Sequence, residues 1–320
     1  MQKQFARGDL PASIHPQANS RRLGMALYNI SRFLLLGLTA GFLTAATVNS
    51  SSASINTISI NRHGLGFSEQ AQNDAAVRKS VARIVTQIQR ADYEGDRVTL
   101  KRLYDDLQAF ADDKTIGSRV RYWRGFAQWR RAFNGFNESA NDLEQDLALA
   151  LSEFEKAASQ DPNFVDAKIA AASCLQNISA LRYTGNDLAG AREPMQKSFP
   201  LLKEAEAAQP DNPRLLWVLG AYRFYNPRER GGGQAFAIET YERGLQAARR
   251  HKPSTKDVLS PSWGEPELLM NLAFANLNKK QPDLAAAEGY AQQALSLVPY
   301  WHYVRDLLLP QIEKARNKKG

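Results

Sequence analysis

The most constraining feature of the sequence is a short pattern of small and aromatic residues that ends at a proline. Ala150, Phe154 and Ala157 are separated by four and then three residues, so they lie on one face of a helix. Two alanines on either side of a phenylalanine allow a second helix to approach closely while the ring fills the groove between them. Pro162 ends the helix, because a proline disfavours helical geometry in the residue before it, here Asp161. The pattern predicts tightly paired helices joined by short turns.

Related endings occur at Pro210 and at Pro299, each preceded by alanines at helical spacing. The spacing Ala150-x3-Phe154-x2-Ala157-x4-Pro162 resembles the second half of a tetratricopeptide repeat, a helix-turn-helix unit of about 34 residues. The resemblance covers roughly residues 117–300 and is weaker in the first helix of each unit. It implies an all-α fold, a right-handed α–α superhelix (a solenoid) of about five helical hairpins and a C-terminal capping helix.

Apolar periodicity predicts where the individual helices lie. A divergent opening hairpin is expected at about 69–90 and 98–112, and the later helices at about 121–133, 141–160, 167–181, 189–208, 213–225, 237–244 and 302–316, with another pair between Pro266 and Pro299. The stretch 134–139 is expected to be an inserted loop. Pro200 predicts a kink or a late start in its helix. In the first repeat, Trp123, Phe126 and Ala127 take the family's Trp-x2-Leu-Gly positions; Leu219-Gly220 takes the last two in the third.

The first 54 residues predict a signal peptide or leader. Arg21, Arg22 and Arg32 precede an apolar run over 33–48, and small residues follow it. We expect cleavage after Ala53 or Ser54, a flexible lead-in over 55–67, and a single helical repeat domain over 68–320. The expected location is periplasmic or secreted. The alternatives are an uncleaved inner-membrane anchor at 33–48, cleavage at Ala46, and a start at Met25 instead of Met1.

Composition and motifs exclude several functional classes. The net charge is +8, but about half of it lies in the leader, and no nucleic-acid-binding motif is present, so a nucleic-acid partner is not expected. One cysteine, Cys174, excludes a disulfide framework and a multi-thiolate metal site. The four histidines belong to no metal or catalytic motif. We therefore expect no enzymatic activity, no cofactor and no metal.

The expected binding surface is the groove lined by the first helix of each repeat, as the family resemblance implies. Arginine, amide and aromatic side chains there suit an extended peptide, through bidentate bonds and stacking. The expected groove residues are Arg124, Gln128, Arg131, Ser173, Gln176, Asn177, Arg214, Trp217, Phe224 and Tyr225. The alternative for Trp217, Phe224 and Tyr225 is a place in the core between helices. Phe154 is expected to be a packing residue on the covering side.

A glycine run forms a minor candidate site. Gly231, Gly232 and Gly233 precede a helix and follow Arg228 and Arg230, an arrangement that can cradle an anion with backbone amides. No Gly-Lys-Ser/Thr motif follows, so the competing interpretation is a loop whose backbone passes close to a neighbouring helix.

Two functions follow as hypotheses. The first is an exported, non-catalytic scaffold that binds a protein or peptide partner in its groove. The second is a small-molecule-binding component associated with a transporter, in which insertions and the Gly231–Gly233 loop close one end of the groove.

Overall fold

The computed structural model describes residues 66–250 and 257–318. The predicted leader lies outside these residues, and so does the predicted lead-in except for its last two positions, which begin a helix. Among the described helices, none combines the length and the apolar character that a membrane crossing requires.

The described chain is built from α-helices, without strands. Eleven helices follow one another: α1 Gly66–Glu94, α2 Arg97–Asp106, α3 Gly117–Glu138, α4 Leu143–Gln160, α5 Val165–Thr184, α6 Leu188–Ala208, α7 Pro213–Tyr225, α8 Gln234–Arg250, α9 Glu265–Asn278, α10 Leu284–Leu297 and α11 Leu309–Asn317. A 3₁₀ turn at Leu107–Phe110 extends α2, a second one lies at Arg228–Arg230, and a π-helical stretch, Tyr303–Leu308, leads into α11. The all-α prediction is confirmed.

Consecutive helices pack in pairs, each helix against the next in the chain. We call α3, α5, α7 and α9 the inner helices, because they share the cavity described below. Aspartate caps begin two of the helices that pair with them, α6 and α10. The Asp187 carboxylate accepts from the Gly190 amide, and the Asp283 carboxylate accepts from the Ala286 amide. The Asn212 side chain accepts from two amides at the start of α7, where Pro213 takes the first helical position.

The loop expected over 134–139 was wrong, because α3 continues to Glu138. Within this extension Gly135 lies against neighbouring side chains: a Cβ there would lie 2.7 Å from Leu143 Cδ2 and 3.0 Å from Arg97 Cζ. Of the two alternatives expected at Pro200, a kink or a late start, the late start is excluded, since α6 begins at Leu188 and passes through that proline.

Glycines set the distance between paired helices. A Cβ on Gly125 would lie 2.8 Å from Phe154 Cε1, and one on Gly220 would overlap the Tyr241 ring. Each of these glycines of an inner helix therefore lies directly against the aromatic ring of the following helix. Phe154 is fully buried, as expected of a packing residue.

The two ends of the described chain meet. Tyr93, at the end of α1, packs edge-on against Trp301 with ring centroids 4.9 Å apart. The Tyr93 hydroxyl donates to Glu267 Oε1 of α9 at 2.6 Å, and Gln89 donates to Ser262 Oγ at 3.0 Å. The first hairpin is therefore bound to the last one, in addition to its neighbours along the chain.

Candidate functional site

A cavity of about 270 Å³ lies among the four inner helices. The segment after α10 contributes to one wall through Trp301 and Tyr303, and α6 and α8 contribute one residue each. The contact between Trp301 and Tyr93 holds that wall in place. The cavity is therefore walled by the inner helices and by the segment after α10, which the end of α1 contacts.

Aromatic and amide side chains dominate the lining. The aromatic members are Phe133, Phe136, Tyr183, Trp217, Tyr222, Phe224, Tyr225, Tyr241, Phe274, Trp301 and Tyr303. The amides are Asn134, Asn137, Gln176, Asn177, Asn226 and Asn271, and Arg130 is the ionisable group besides the tyrosines. Such a surface binds flat or apolar groups by contact and fixes their orientation with a few hydrogen bonds.

Three tryptophans from different segments contact one another, and one of them reaches the cavity wall. Trp129, Trp217 and Trp263 contact one another with ring centroids 5.6–5.7 Å apart, in edge-to-face geometry. Trp263 is further held by its indole nitrogen, which donates to the Tyr122 hydroxyl at 2.8 Å. Trp217 also lines the cavity, so a ligand there would rest on a rigid aromatic support.

Six of the expected groove residues line the cavity together. They are Ser173, Gln176, Asn177, Trp217, Phe224 and Tyr225. Trp217 and Phe224 are also buried, with 4% and 6% of their surface exposed, so they belong to the core and to the cavity wall at once. For these two residues, the groove position and the core position proposed from the sequence are therefore the same place.

The four remaining expected groove residues lie outside the lining, and this corrects their placement. Arg124 is buried, donates to Glu153 Oε1 at 3.2 Å and stacks on the Tyr104 ring at 4.0 Å. The Arg131 guanidinium pairs with Asp142 and Asp146.

Gln128 and Arg214 are buried as well. Arg214 pairs with Asp166 at 2.5 Å and donates to the Trp263 carbonyl at 3.1 Å. The three arginines therefore pair with carboxylates of the protein, and Gln128 is buried away from the cavity lining.

The register of the first repeat explains the error on α3. Sequence matching places Ala127 at the family's glycine position, but Gly125 is the residue that lies against Phe154. A shift of two residues turns a helix by roughly 200°. Positions expected to face the groove therefore point to another side, and the α3 residues that line the cavity include Arg130, Phe133 and Asn134.

A buried charged cluster beside the cavity was missed by the sequence reasoning. Arg130 lines the cavity, and its Nε donates to Asp92 Oδ2 at 2.8 Å. Glu267 accepts from the Tyr93 hydroxyl and from the Gly264 amide. Burial raises the pKa of Glu267 above its ordinary value, although the positive charge of Arg130 acts against this shift. No local sequence motif identifies this cluster, because its members Asp92, Arg130 and Glu267 are far apart in the sequence.

Two lining residues carry buried donors without acceptors. Within the described part of the chain, Trp217 Nε1 and Gln176 Nε2 have no hydrogen-bond partner. Trp129 Nε1 and both polar atoms of the Gln128 side chain share this condition, but neither residue lines the cavity. An unmet buried donor costs free energy, so each one calls for a physical explanation.

Comparison of the chain with protein-family models, with curated proteins and with solved structures finds no match. The function must therefore be argued from the site itself. In the described residues, no group of three or more His, Cys, Asp or Glu side chains is arranged to hold a metal ion.

The glycine loop does not offer its amides to an anion. The Gly231 amide donates to the Arg228 carbonyl, Gly232 to Pro227 and Gly233 to Arg223, at 2.9–3.0 Å. A Cβ on Gly232 would overlap the Asn226 carbonyl oxygen, so the backbone passes very close to itself here. The glycines are required by the tight turn into α8. Because their amides already donate to backbone carbonyls, they do not form the anion site that the sequence suggested. Arg228 and Arg230 belong to the short 3₁₀ turn before these glycines, which contains no buried residue.

Proposed function

We propose that this chain is a non-catalytic binding protein that holds a compact ligand in the cavity among its inner helices. The observation that carries this proposal is the shape of the concave side: a bounded pocket of about 270 Å³, walled by aromatic rings and amides from four hairpins and from the C-terminal segment. Sites for small molecules have this character, mostly apolar with a few placed polar groups.

The proposal extends to architecture and location. Paired helices and glycine-on-aromatic contacts support a tetratricopeptide-like right-handed superhelix, and the basic, apolar and small-residue order of residues 1–54 supports export. The mass of the mature chain, isolated from an envelope fraction, tests the latter: a full-length mass in the membrane pellet would favour the anchor at 33–48.

Binding of an extended peptide is the second candidate. Amide side chains on successive inner helices, Gln176 and Asn177 on α5 and Asn271 on α9, are suited to hydrogen bonds with a peptide backbone. The internal pairing of Arg124, Arg131 and Arg214 removes the arginines that were expected to bind peptide carboxylates.

The test is to identify what the cavity retains. Mass spectrometry of the organic extract of the purified full chain is expected to find a small molecule bound to wild type. Ala180→Trp fills the cavity, because Ala180 lines it, whereas Ala208→Trp adds the same side chain at an exposed position.

We expect Ala180→Trp to lose the retained compound and Ala208→Trp to keep it. Compounds found in the extract should raise the melting temperature of wild type, since a ligand that binds only the folded state stabilises it by mass action. A retained peptide would instead support the second candidate. Equal retention by both variants would place binding outside the cavity.

A further inference from the structure

Two neighbouring side chains of α3 bring fixed polar groups to the cavity lining. Arg130 and Asn134 are four residues apart, so they lie on one face of the helix, and both line the cavity. Arg130 donates through Nε to Asp92 Oδ2 at 2.8 Å. Asn134 donates through Nδ2 to Asp92 Oδ1 and to the Asp92 carbonyl, both at 3.1 Å. One aspartate of α1 therefore fixes the orientation of both side chains.

The remaining polar atoms of these two side chains have no partner in the described part of the protein. Arg130 Nη1 and Nη2 and Asn134 Oδ1 make no hydrogen bond there. None of these three atoms is fully enclosed by protein, so each remains open to a molecule the size of water. Arg130 is only 5% exposed, and the cavity is the space that it lines. Because Asp92 holds Asn134 Nδ2, the other end of the amide, Oδ1, points away from that carboxylate.

The charge of Arg130 is already matched by the protein. The guanidinium pairs with Asp92, and the Glu267 carboxyl also acts on its charge. An anionic ligand would add a third acidic group around one guanidinium and would face the Asn134 oxygen, and its desolvation among aromatic rings would be costly. A cationic ligand would meet Arg130 directly. The arrangement favours an uncharged group that accepts from Arg130 and donates to Asn134.

We propose that the ligand carries an uncharged amide on an apolar or aromatic body, with its carbonyl accepting from the Arg130 Nη groups and its N–H donating to Asn134 Oδ1. This inference rests on the proposed function and names the chemical class of its ligand. The body packs against lining rings such as Phe133 and Trp217, whose centroids are 5.9 Å apart. A peptide backbone has the same amide chemistry, and the mass of the retained compound separates it from a small molecule.

Four probes of nearly equal size and shape separate the possibilities. Benzamide has an uncharged acceptor and a donor, acetophenone has the acceptor alone, benzoate is an anion and benzamidine is a cation. Isothermal titration calorimetry on the full chain is expected to rank benzamide as the tightest, by about fivefold over acetophenone, because one additional hydrogen bond has roughly that value. Benzoate and benzamidine are expected to bind more weakly than acetophenone.

Two variants of the lining locate each half of the amide. Asn134→Leu removes the acceptor, so benzamide should fall to the affinity of acetophenone, whose own affinity should not change. Arg130→Lys keeps the positive charge beside Asp92 and removes the Nη groups, so it should weaken both uncharged probes about fivefold and preserve the ratio between them. Asn137→Leu is the matched control, because Asn137 also lines the cavity but is exposed, and both affinities should remain as in wild type.

Each other outcome overturns the inference. Equal affinity of wild type for benzamide and acetophenone would remove the role of Asn134, and tightest binding of benzoate or benzamidine would show that a charged group is recognised. Equal weakening of benzamide and acetophenone by Asn134→Leu would indicate a general structural effect in place of a contact with the amide. Failure of all four probes at millimolar concentrations would also contradict the inference, while the retained compound would still decide the proposed function separately.

Discussion

Glu153 on α4 neutralises two arginines of the neighbouring inner helix. The residue is 4% exposed, and its carboxylate accepts from Arg121 Nη1 at 2.9 Å and from Arg124 Nη2 at 3.2 Å. A buried ion pair contributes little net stability, because desolvation offsets the attraction. Removing one partner is different, since it leaves the opposite charge buried and uncompensated.

We predict that Glu153→Gln lowers the free energy of unfolding by about 3 kcal/mol, measured by urea denaturation, because buried Arg124 loses its carboxylate partner and Arg121 keeps only the exposed Asp112 carboxylate. Asp105→Asn is the control: its pair with Lys101 is more than half exposed on both sides, and we expect a change below about 0.5 kcal/mol. Comparable effects of the two substitutions would contradict this assignment.

The residues that line the cavity and those that bind each other look alike in the sequence. Arg124 and Arg214 were expected in the groove because their spacing along a helix allowed it. Their partners Glu153 and Asp166 lie on other helices, and nothing in one sequence indicates such a pairing. Gln176 was placed in the groove region on the same reasoning, and it does line the cavity.

At the scale of the helices, the pairing of α3 with α4 is controlled by a glycine. A Cβ on Gly125 would lie 2.8 Å from Phe154 Cε1 and 3.1 Å from the Ala150 carbonyl oxygen. Phe154 is surrounded by other rings, including Tyr122 and Trp129, so it has little freedom to move aside. The close approach of the two helices therefore depends on the absence of a side chain at residue 125.

We predict that Gly125→Ala destabilises the protein by about 1–3 kcal/mol through overpacking, despite the better helix propensity of alanine. Gly289→Ala is the matched substitution within α10, where an added Cβ meets nothing within 4 Å. It should stabilise by about 0.5–1 kcal/mol. Thermal denaturation of both variants measures the two changes in stability. Stabilisation by both substitutions would contradict the close contact at Gly125.

Helix ends were predicted better than helix registers. Local chemistry sets an end: α7 runs from Pro213 to Tyr225 as expected, because a proline and a capping asparagine mark its start. A register depends on the facing helix, so the choice between Gly125 and Ala127 could not be made from α3 alone. The continuation of α3 past Gly135 was also missed, although there the glycine lies against Leu143 of the next helix, a contact that the sequence of α3 alone does not show.

Over the whole molecule, the contact between the two ends joins segments that the chain order keeps far apart. In an open array each hairpin contacts only its neighbours, and a substitution in the last unit leaves the first one undisturbed. Here Trp301 packs on Tyr93, and His302 lies so close to Gly95 that a Cβ on this glycine would be 3.2 Å from His302 Cδ2. The first and last segments are therefore expected to unfold cooperatively, so that destabilising one also destabilises the other.

We predict that Trp301→Ala destabilises the protein by about 3–5 kcal/mol, and that it also speeds hydrogen exchange at buried residues of α1 such as Ile88 and Ala91. Leu297→Ala is the control, because Leu297 is 49% exposed, and it should leave exchange in α1 unchanged. Unaltered protection of α1 in the Trp301 variant would show that the two ends are energetically independent.

The cavity itself could not be predicted, although many of its residues could. Periodicity placed several lining residues of α5 and α7 correctly but not those of α3, and it does not show how closely successive hairpins approach one another. The enclosure depends on contacts such as Trp129 with Trp263, which only the complete set of turns brings together.

The meeting of the ends also limits how a chain like this can evolve in length. Repeat proteins commonly gain or lose units by duplication and deletion, because each unit interacts with the next in the same way. Inserting one more hairpin here would separate Trp263 from Trp129 and Trp301 from Tyr93, and the cavity would open. Substitutions within a fixed number of hairpins would preserve these contacts, whereas insertion of a unit would not.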